Sequence, residues 1–156
     1  IWVKDTLVVG RMDYQMRHEP VIYAFKDTAK HEWFSDRKQT TVWEFARPKK
    51  SELHPTSKPL PLIAYPIKNS TQENGIVLDL FGGSGSCLMA CEQLGRIAYL
   101  MELDCKYSSA IVRRYVSFKN NNTDDVFCIR NGEKIKCLDI YDPSKEEFKF
   151  NEQSVN

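Results

Sequence analysis

The chain has 156 residues, 42% hydrophobic and 28% charged, with a formal net charge of +1. That length suits one domain, or one with an appendage, and allows a real core; no run approaches the roughly 20 apolar residues of a membrane-crossing helix, so no membrane partner is expected. Five cysteines, at positions 87, 91, 105, 128 and 137, form no Cys-x-x-Cys pair and leave an odd count. This argues against a disulfide framework or a zinc ribbon and for a reducing, cytoplasmic compartment.

Residues 1–5 contain no initiator Met, basic n-region or small-residue cleavage site, so they are expected to be the interior of something longer rather than a signal peptide. Trp2-Val3-Lys4 and Thr6-Leu7-Val8-Val9 are expected to be extended. Gly10-Arg11-Met12-Asp13 then punctuates, and Pro20-Val21-Ile22-Tyr23-Ala24-Phe25 is expected to be the next apolar strand. Residues 26–53 lack periodicity apart from a short strand around Thr40-Thr41-Val42-Trp43-Glu44-Phe45, which Pro48 ends.

Charge is uneven along the chain. Between residues 26 and 50, seven Lys/Arg stand against four acids, whereas from residue 120 onward five bases stand against eight acids. The basic stretch is where a polyanion would meet the chain, if it is more than a solvated surface. Trp33, Phe34 and Trp43 within it suit base stacking or the packing of that region's own core, and Trp43 is expected in the core.

Leu60, Ile63, Ala64 and Ile67 recur at helical spacing, with Pro61 suited to a first turn. Pro66 should kink or shorten this helix, since an interior proline removes a backbone bond and costs ~3 kcal/mol. The next section predicts a βαβ unit: a buried strand over 76–81, a tight turn at Gly82-Gly83-Ser84-Gly85, a helix over 86–94 stopped by Gly95, and a second buried strand over 97–102. Such a unit implies a parallel sheet with a right-handed crossover, hence an α/β fold. Cys87 and Cys91 share one helix face and read as core thiols. Tyr107, Ala110, Ile111, Tyr115 and Phe118 mark another amphipathic helix, whose sheet face is left open. Asn131-Gly132 predicts a hairpin over 126–140, and the last dozen polar residues should be loose.

A glycine turn between strand and helix brings bare backbone to a ligand, and an acid ending the next strand can hold ribose hydroxyls. Here those are residues 82–85 and Glu102. The dinucleotide fingerprint fails because Leu88 stands where Gly or Ala is required, and no Gly-Lys-Ser/Thr closes a phosphate loop. Asp79, ahead of the turn, suits a cationic ligand better than a pyrophosphate.

The ordered set of His54-Pro55-Thr56-Ser57-Lys58-Pro59, then Asp79-Leu80-Phe81-Gly82-Gly83-Ser84-Gly85, then Glu102-Leu103-Asp104 resembles the DNA amino-methyltransferases. The likeness runs from Trp2 to about Phe118 and is strongest to the permuted-motif subgroup, in which the catalytic half comes first. It implies a Rossmann-like methyltransferase fold with a partial sheet, a small target-recognition insertion and a C-terminal β-hairpin. It also implies S-adenosylmethionine as cofactor, held by Thr56, Lys58, Asp79, Phe81, Gly82, Gly83, Gly85 and Glu102.

By the same resemblance residues 1–25 lie near the flipped target base, and residues 10–20 look like phage-type adenine methylases. Residues 26–53 form the recognition region, 54–119 the cofactor-binding half, and 120–156 a hairpin and tail. Double-stranded DNA is the implied partner, through Arg11, Tyr14, His18, Arg37, Lys38, Lys49 and Lys50; for Tyr14 and His18 an ordinary solvated loop is an equal reading. Leu80 and Cys105 stand where family members often carry proline. The family's catalytic Asp/Asn/Ser-Pro-Pro-Tyr/Phe/Trp tetrapeptide occurs nowhere in the sequence. It normally holds the target amine and stacks on the extruded base. The expectation is therefore an adenine-N6 enzyme family, with cytosine N4 as an alternative, and a chain that is inactive alone and pairs with itself or with an upstream catalytic half. The rival expectation is a non-catalytic cofactor- or DNA-binding subunit, and a nucleotide-dependent oxidoreductase stands third.

Overall fold

The computed structural model describes residues 1–5, 7, 10, 12–46, 57–142 and 147–148. Strand β1 (Trp2–Val3) lies between β2 (His18–Glu19), antiparallel to it, and β3 (Trp43–Glu44), parallel to it. Trp2 anchors this small sheet: it is 2% exposed and its indole N–H donates to the Phe45 carbonyl at 2.8 Å. Burying so large a ring with its one polar atom satisfied explains why two-residue strands persist here.

The strand expected over 20–25 does not form. Residues 20–26 have no regular structure and are exposed. Pro20 cannot donate to a ladder, and the rings that follow pack with a nearby loop instead, Phe25 lying 4.5 Å from His31 and Tyr23 6.3 Å from Trp33.

Helix α1 (Leu60–Ser70) continues through Pro66 rather than stopping at it. The proline forfeits the bond to the carbonyl of residue 62. Burial of Leu62, Ile67 and Asn69 along the helix supplies the compensating packing. Trp43 stacks edge-on against Tyr65 of this helix at 5.1 Å, so it packs onto α1 rather than into a core of its own region.

The βαβ unit is present: β4 (Ile76–Asp79), α2 (Ser86–Leu94) and β5 (Ile97–Leu100), with β4 and β5 parallel in the register Ile76↔Ile97 to Asp79↔Leu100. Gly95 ends α2 in the left-handed conformation, donating to the Cys91 and Glu92 carbonyls. Each strand is two residues shorter than expected, because the chain leaves the ladder after Asp79 and Leu100 to form the turns that carry the site. Ile63, Ala64 and Ile67 of α1 meet Cys87, Ala90 and Cys91 of α2 over Val77 and Ala98 of the strands.

Only one face of that sheet is covered among the described residues. Ile76 and Leu78 are 66% and 64% exposed, and Tyr99 and Met101 are similarly bare. The expectation of two buried strands holds for one face only, because α1 and α2 pack on the same side. Each large apolar side chain left out forgoes ~1.5–3 kcal/mol of burial.

Helix α3 (Cys105–Phe118) is capped by the Asp104 side chain, which accepts from the Lys106 N–H at 2.7 Å. It is clamped to α2 by the Lys119–Glu92 ion pair at 2.7 Å and by the Tyr115 hydroxyl, which donates to Glu92 at 3.2 Å. The hairpin of β6 (Phe127–Arg130) and β7 (Glu133–Lys136) turns at Asn131 and Gly132, both at positive φ. It ends earlier than predicted, in the short helix α4 (Cys137–Ile140), and β8 (Tyr141–Asp142) pairs with β9 (Glu147–Phe148). Among the described residues no helix is long and apolar enough to cross a membrane.

Candidate functional site

The carboxyl ends of β4 and β5 deliver Asp79 and Glu102 to either side of the glycine turn. Asp79 Oδ1 accepts from the Phe81 N–H at 3.0 Å, which bends the chain out of the strand. Gly82 donates to the Met101 carbonyl at 2.8 Å, and Glu102 accepts from the N–H of Gly83 at 2.7 Å and of Asp104 at 3.0 Å. The Asp104 and Gly83 N–H groups, in that order, hold the Glu102 carboxyl below its ordinary range.

Arg114 of α3 reaches beneath the turn and donates to the Ser84 carbonyl at 2.8 Å and to the Ser86 hydroxyl at 3.2 Å. Burial lowers the Arg114 pKa, yet a guanidinium remains charged in this setting. Ser86, the first residue of α2, donates to the Lys58 carbonyl at 3.1 Å. The turn is thus tied to the segment before α1 on one side and to α3 on the other.

Between α1 and the turn lies a cavity of about 430 Å³, within the ~300–1,000 Å³ usual for small-ligand sites. Lys58, Asp79, Phe81, Gly82 and Gly83 line it, as the sequence reading requires, and so do Ile63, Ile67 and Val77. An acidic residue, a basic residue and an apolar wall therefore share one hollow.

Gly85 and Glu102 are not part of the lining. A Cβ at Gly85 would lie 3.1 Å from Ile111 Cγ2, and φ there is +74°, so this glycine serves the packing of the turn on α3. Glu102 braces the turn from outside. Thr56 lies outside the described residues, as do Arg11, Lys49 and Lys50.

Tyr14 is 91% exposed, and His18, Arg37 and Lys38 are exposed as well. The structure does not gather these four around the cavity. Sequence reasoning passed over Ser84, Ser86, Arg114 and Ile63. A serine on each side of Gly85 is a usable signal for a turn braced through hydroxyls, whereas Arg114 gives none without the fold.

Cys87 also lines the cavity, packed in the core against Cys91. Desolvation, the neighbouring Cys91 and the Asp79 carboxylate push its thiol up to about 12. It is a protonated wall and no nucleophile.

The sequence profile of the N6/N4 DNA methylases matches residues 4–113. Among curated proteins, the Type II methyltransferase M2.MboI of Moraxella bovis is 29% identical over 103 residues, covering 64% of this chain and 38% of its own length. M2.LlaDCHI of Lactococcus lactis subsp. cremoris is 43% identical over 68 residues, covering 40% and 25%. The crystal structure of the M1.HpyAVI–SAM complex superposes with a TM-score of 0.60 at 32% identity, over 72% of this chain and 58% of that one. The chain thus spans a quarter to about two fifths of the length of these curated relatives. Its fold is that of the S-adenosylmethionine-dependent DNA methyltransferases, and with the profile match across most of its length the chain belongs to the N6/N4 DNA methylase family.

Proposed function

We propose that this chain forms the S-adenosylmethionine pocket of a DNA methyltransferase acting on adenine N6. The carrying observation is the cavity beside the glycine turn, whose wall joins Lys58, Asp79, Phe81, Gly82 and Gly83. Its donor set fits an amino-acid sulfonium: the Asp79 carboxylate suits a cationic group, the Lys58 ammonium suits a carboxylate, and Ile63, Ile67 and Val77 suit apolar carbons. Glu102 keeps the turn in shape and is proposed for the ribose hydroxyls, Thr56 belongs to the proposed set, and Gly85 contributes through the packing of the turn on α3. A relative solved in complex with this cofactor supports the reading. When bound, the cofactor supplies an electrophilic methyl group on sulfur.

Double-stranded DNA is the proposed partner. Exposed Arg37 and Lys38, with Lys49 and Lys50 in the same basic stretch, are assigned to phosphates, and Arg11, Tyr14 and His18 to the neighbourhood of the target base. Adenine is preferred to cytosine N4 on the likeness of residues 10–20 to phage-type adenine methylases.

No Pro-Pro-aromatic tetrapeptide lies in this sequence, so methyl transfer is expected only when a segment carrying one is supplied. The bare face of β4 and β5 is the proposed seat for that segment, or for a second copy in its absence. The missing tetrapeptide equally favours a second reading, a cofactor- or DNA-binding subunit without catalysis. Transfer of label from S-adenosylmethionine to DNA separates the two. Activity that appears on adding the tetrapeptide-bearing half supports the enzyme, none with both halves supports the binding subunit, and activity from the purified chain alone refutes the assignment of the catalytic group elsewhere.

A further inference from the structure

Lys58 lines the proposed cofactor cavity from a segment with no regular structure, yet its ammonium is not left to wander. Glu19 Oε2 lies 2.5 Å from Lys58 Nζ, and Glu19 Oε1 lies 2.5 Å from Lys4 Nζ. One carboxylate thus joins two lysines that are far apart in the sequence.

The two contacts are unequal. The Lys4 side chain is 2% exposed, whereas that of Lys58 is 41% exposed. A buried ammonium without a partner is strongly unfavourable, so Lys4 fixes the near oxygen of Glu19. Trp2 reinforces the arrangement: it sits opposite Glu19 in the β1–β2 ladder, and both ammonium groups lie 5.2 Å from its ring. The far oxygen is then presented to Lys58 from a carboxylate that cannot turn away. Burial works against the charge on Glu19, but hydrogen bonds from Lys4 and Lys58 and their charges outweigh it, so the carboxyl stays below its ordinary range. The other end of Lys58 is also held, through its carbonyl and the Ser86 hydroxyl.

We infer that Glu19, pinned by Lys4 and Trp2, is a positioning residue that sets the Lys58 ammonium at the wall of the cofactor cavity. The inference rests on the cofactor reading above. It also assigns a role to the segment beside the proposed target-base loop: with each oxygen engaged by a lysine, Glu19 ties that segment to the wall of the pocket.

Calorimetry of S-adenosylmethionine with the full chain compares wild type, Lys58→Met, Glu19→Gln and the double variant, with circular dichroism checking each fold. Glu19→Gln and Lys58→Met should each weaken binding about tenfold, the scale of one charge-assisted hydrogen bond. The double variant should be no weaker than Lys58→Met alone. If Glu19→Gln does not fold, Lys4→Met/Glu19→Gln removes the buried charge together with its partner and should show the same loss.

Proton–nitrogen NMR of the lysine ammonium groups supplies a readout without cofactor: a slowly exchanging Lys58 signal that disappears in the Glu19 variant. Wild-type affinity in a folded Glu19 variant, or in Lys58→Met, would overturn the inference. So would a double-variant loss equal to the product of the single losses. Wild type that fails to bind, with a Lys58 signal dependent on Glu19, overturns the cofactor reading and leaves the positioning intact. Binding with a Lys58 signal indifferent to Glu19 overturns the positioning alone.

Discussion

The backbone N–H of Gly83 donates to Glu102 Oε2 across a separation of 2.7 Å, joining the glycine turn after β4 to the residue that leaves β5. The bond makes the geometry of the turn depend on the charge of one carboxylate. The Glu102 pKa is lowered from 4.5 by the N–H groups of Asp104 and Gly83. A depressed folded-state pKa contributes stability that is present above the unfolded value and lost as pH falls through the folded one. The difference in melting temperature between wild type and Glu102→Ala is therefore predicted to be full near neutral pH and to shrink below the ordinary carboxylate range. A difference that stays constant down to strong acid would show that the N–H bonds do not depend on the charge.

Gly85 is predicted to tolerate no side chain. Its φ of +74° strains any L-residue, and an added Cβ meets Ile111 Cγ2 at 3.1 Å and Cγ1 at 3.2 Å. Gly85→Ala should cost ~1–3 kcal/mol in denaturant unfolding, the scale for a strained backbone position. Gly132→Ala is the control: φ is +82° there but nothing lies within 4 Å, so it should lose less. Equal destabilisation would mean that the packing of the turn on α3 contributes nothing.

The thiols should separate by burial. Cys87, raised to about 12 by desolvation and by its neighbours Cys91 and Asp79, is protonated at pH values where alkylation is usually run, whereas Cys105 is exposed. Iodoacetamide labelling followed by peptide mass spectrometry is predicted to mark Cys105 first and Cys87 only on unfolding. Early labelling of Cys87 in the folded chain would place it in a different environment.

The βαβ unit and its turn were legible because their signals are local. Gly95 stops α2 and Asn131-Gly132 turns the hairpin through conformations that few other residues adopt, whatever surrounds them. The lining residues Lys58, Asp79, Phe81, Gly82 and Gly83 were legible through motif resemblance. What escaped depends on interactions distant in sequence: Arg114 beneath Ser84, and Glu19 against Lys58 across 39 positions. The strand expected over 20–25 failed for a related reason, since an apolar run becomes a strand only where a partner edge exists. The uncovered face of β4 and β5 was hidden too, because apolar alternation does not reveal which side a helix will take.

The basic stretch should dominate nucleic-acid affinity. Neutralising Arg37, Lys38, Lys49 and Lys50 together is predicted to flatten the dependence of log K on log salt for duplex DNA, by about 0.9 for each phosphate that is no longer neutralised. An unchanged slope would mean that these side chains do not track the backbone.

The central claim is that the cavity between α1 and the glycine turn takes S-adenosylmethionine. Asp79 is its sharpest test, since the residue lines the cavity and its carboxylate shapes the turn through the Phe81 N–H. Isothermal titration of the cofactor into the wild-type chain should give saturable one-site binding, and Asp79→Ala should weaken it by ~1–3 kcal/mol, the scale for losing a hydrogen bond to a charged group. Unaltered affinity in a folded Asp79→Ala variant would contradict the assignment.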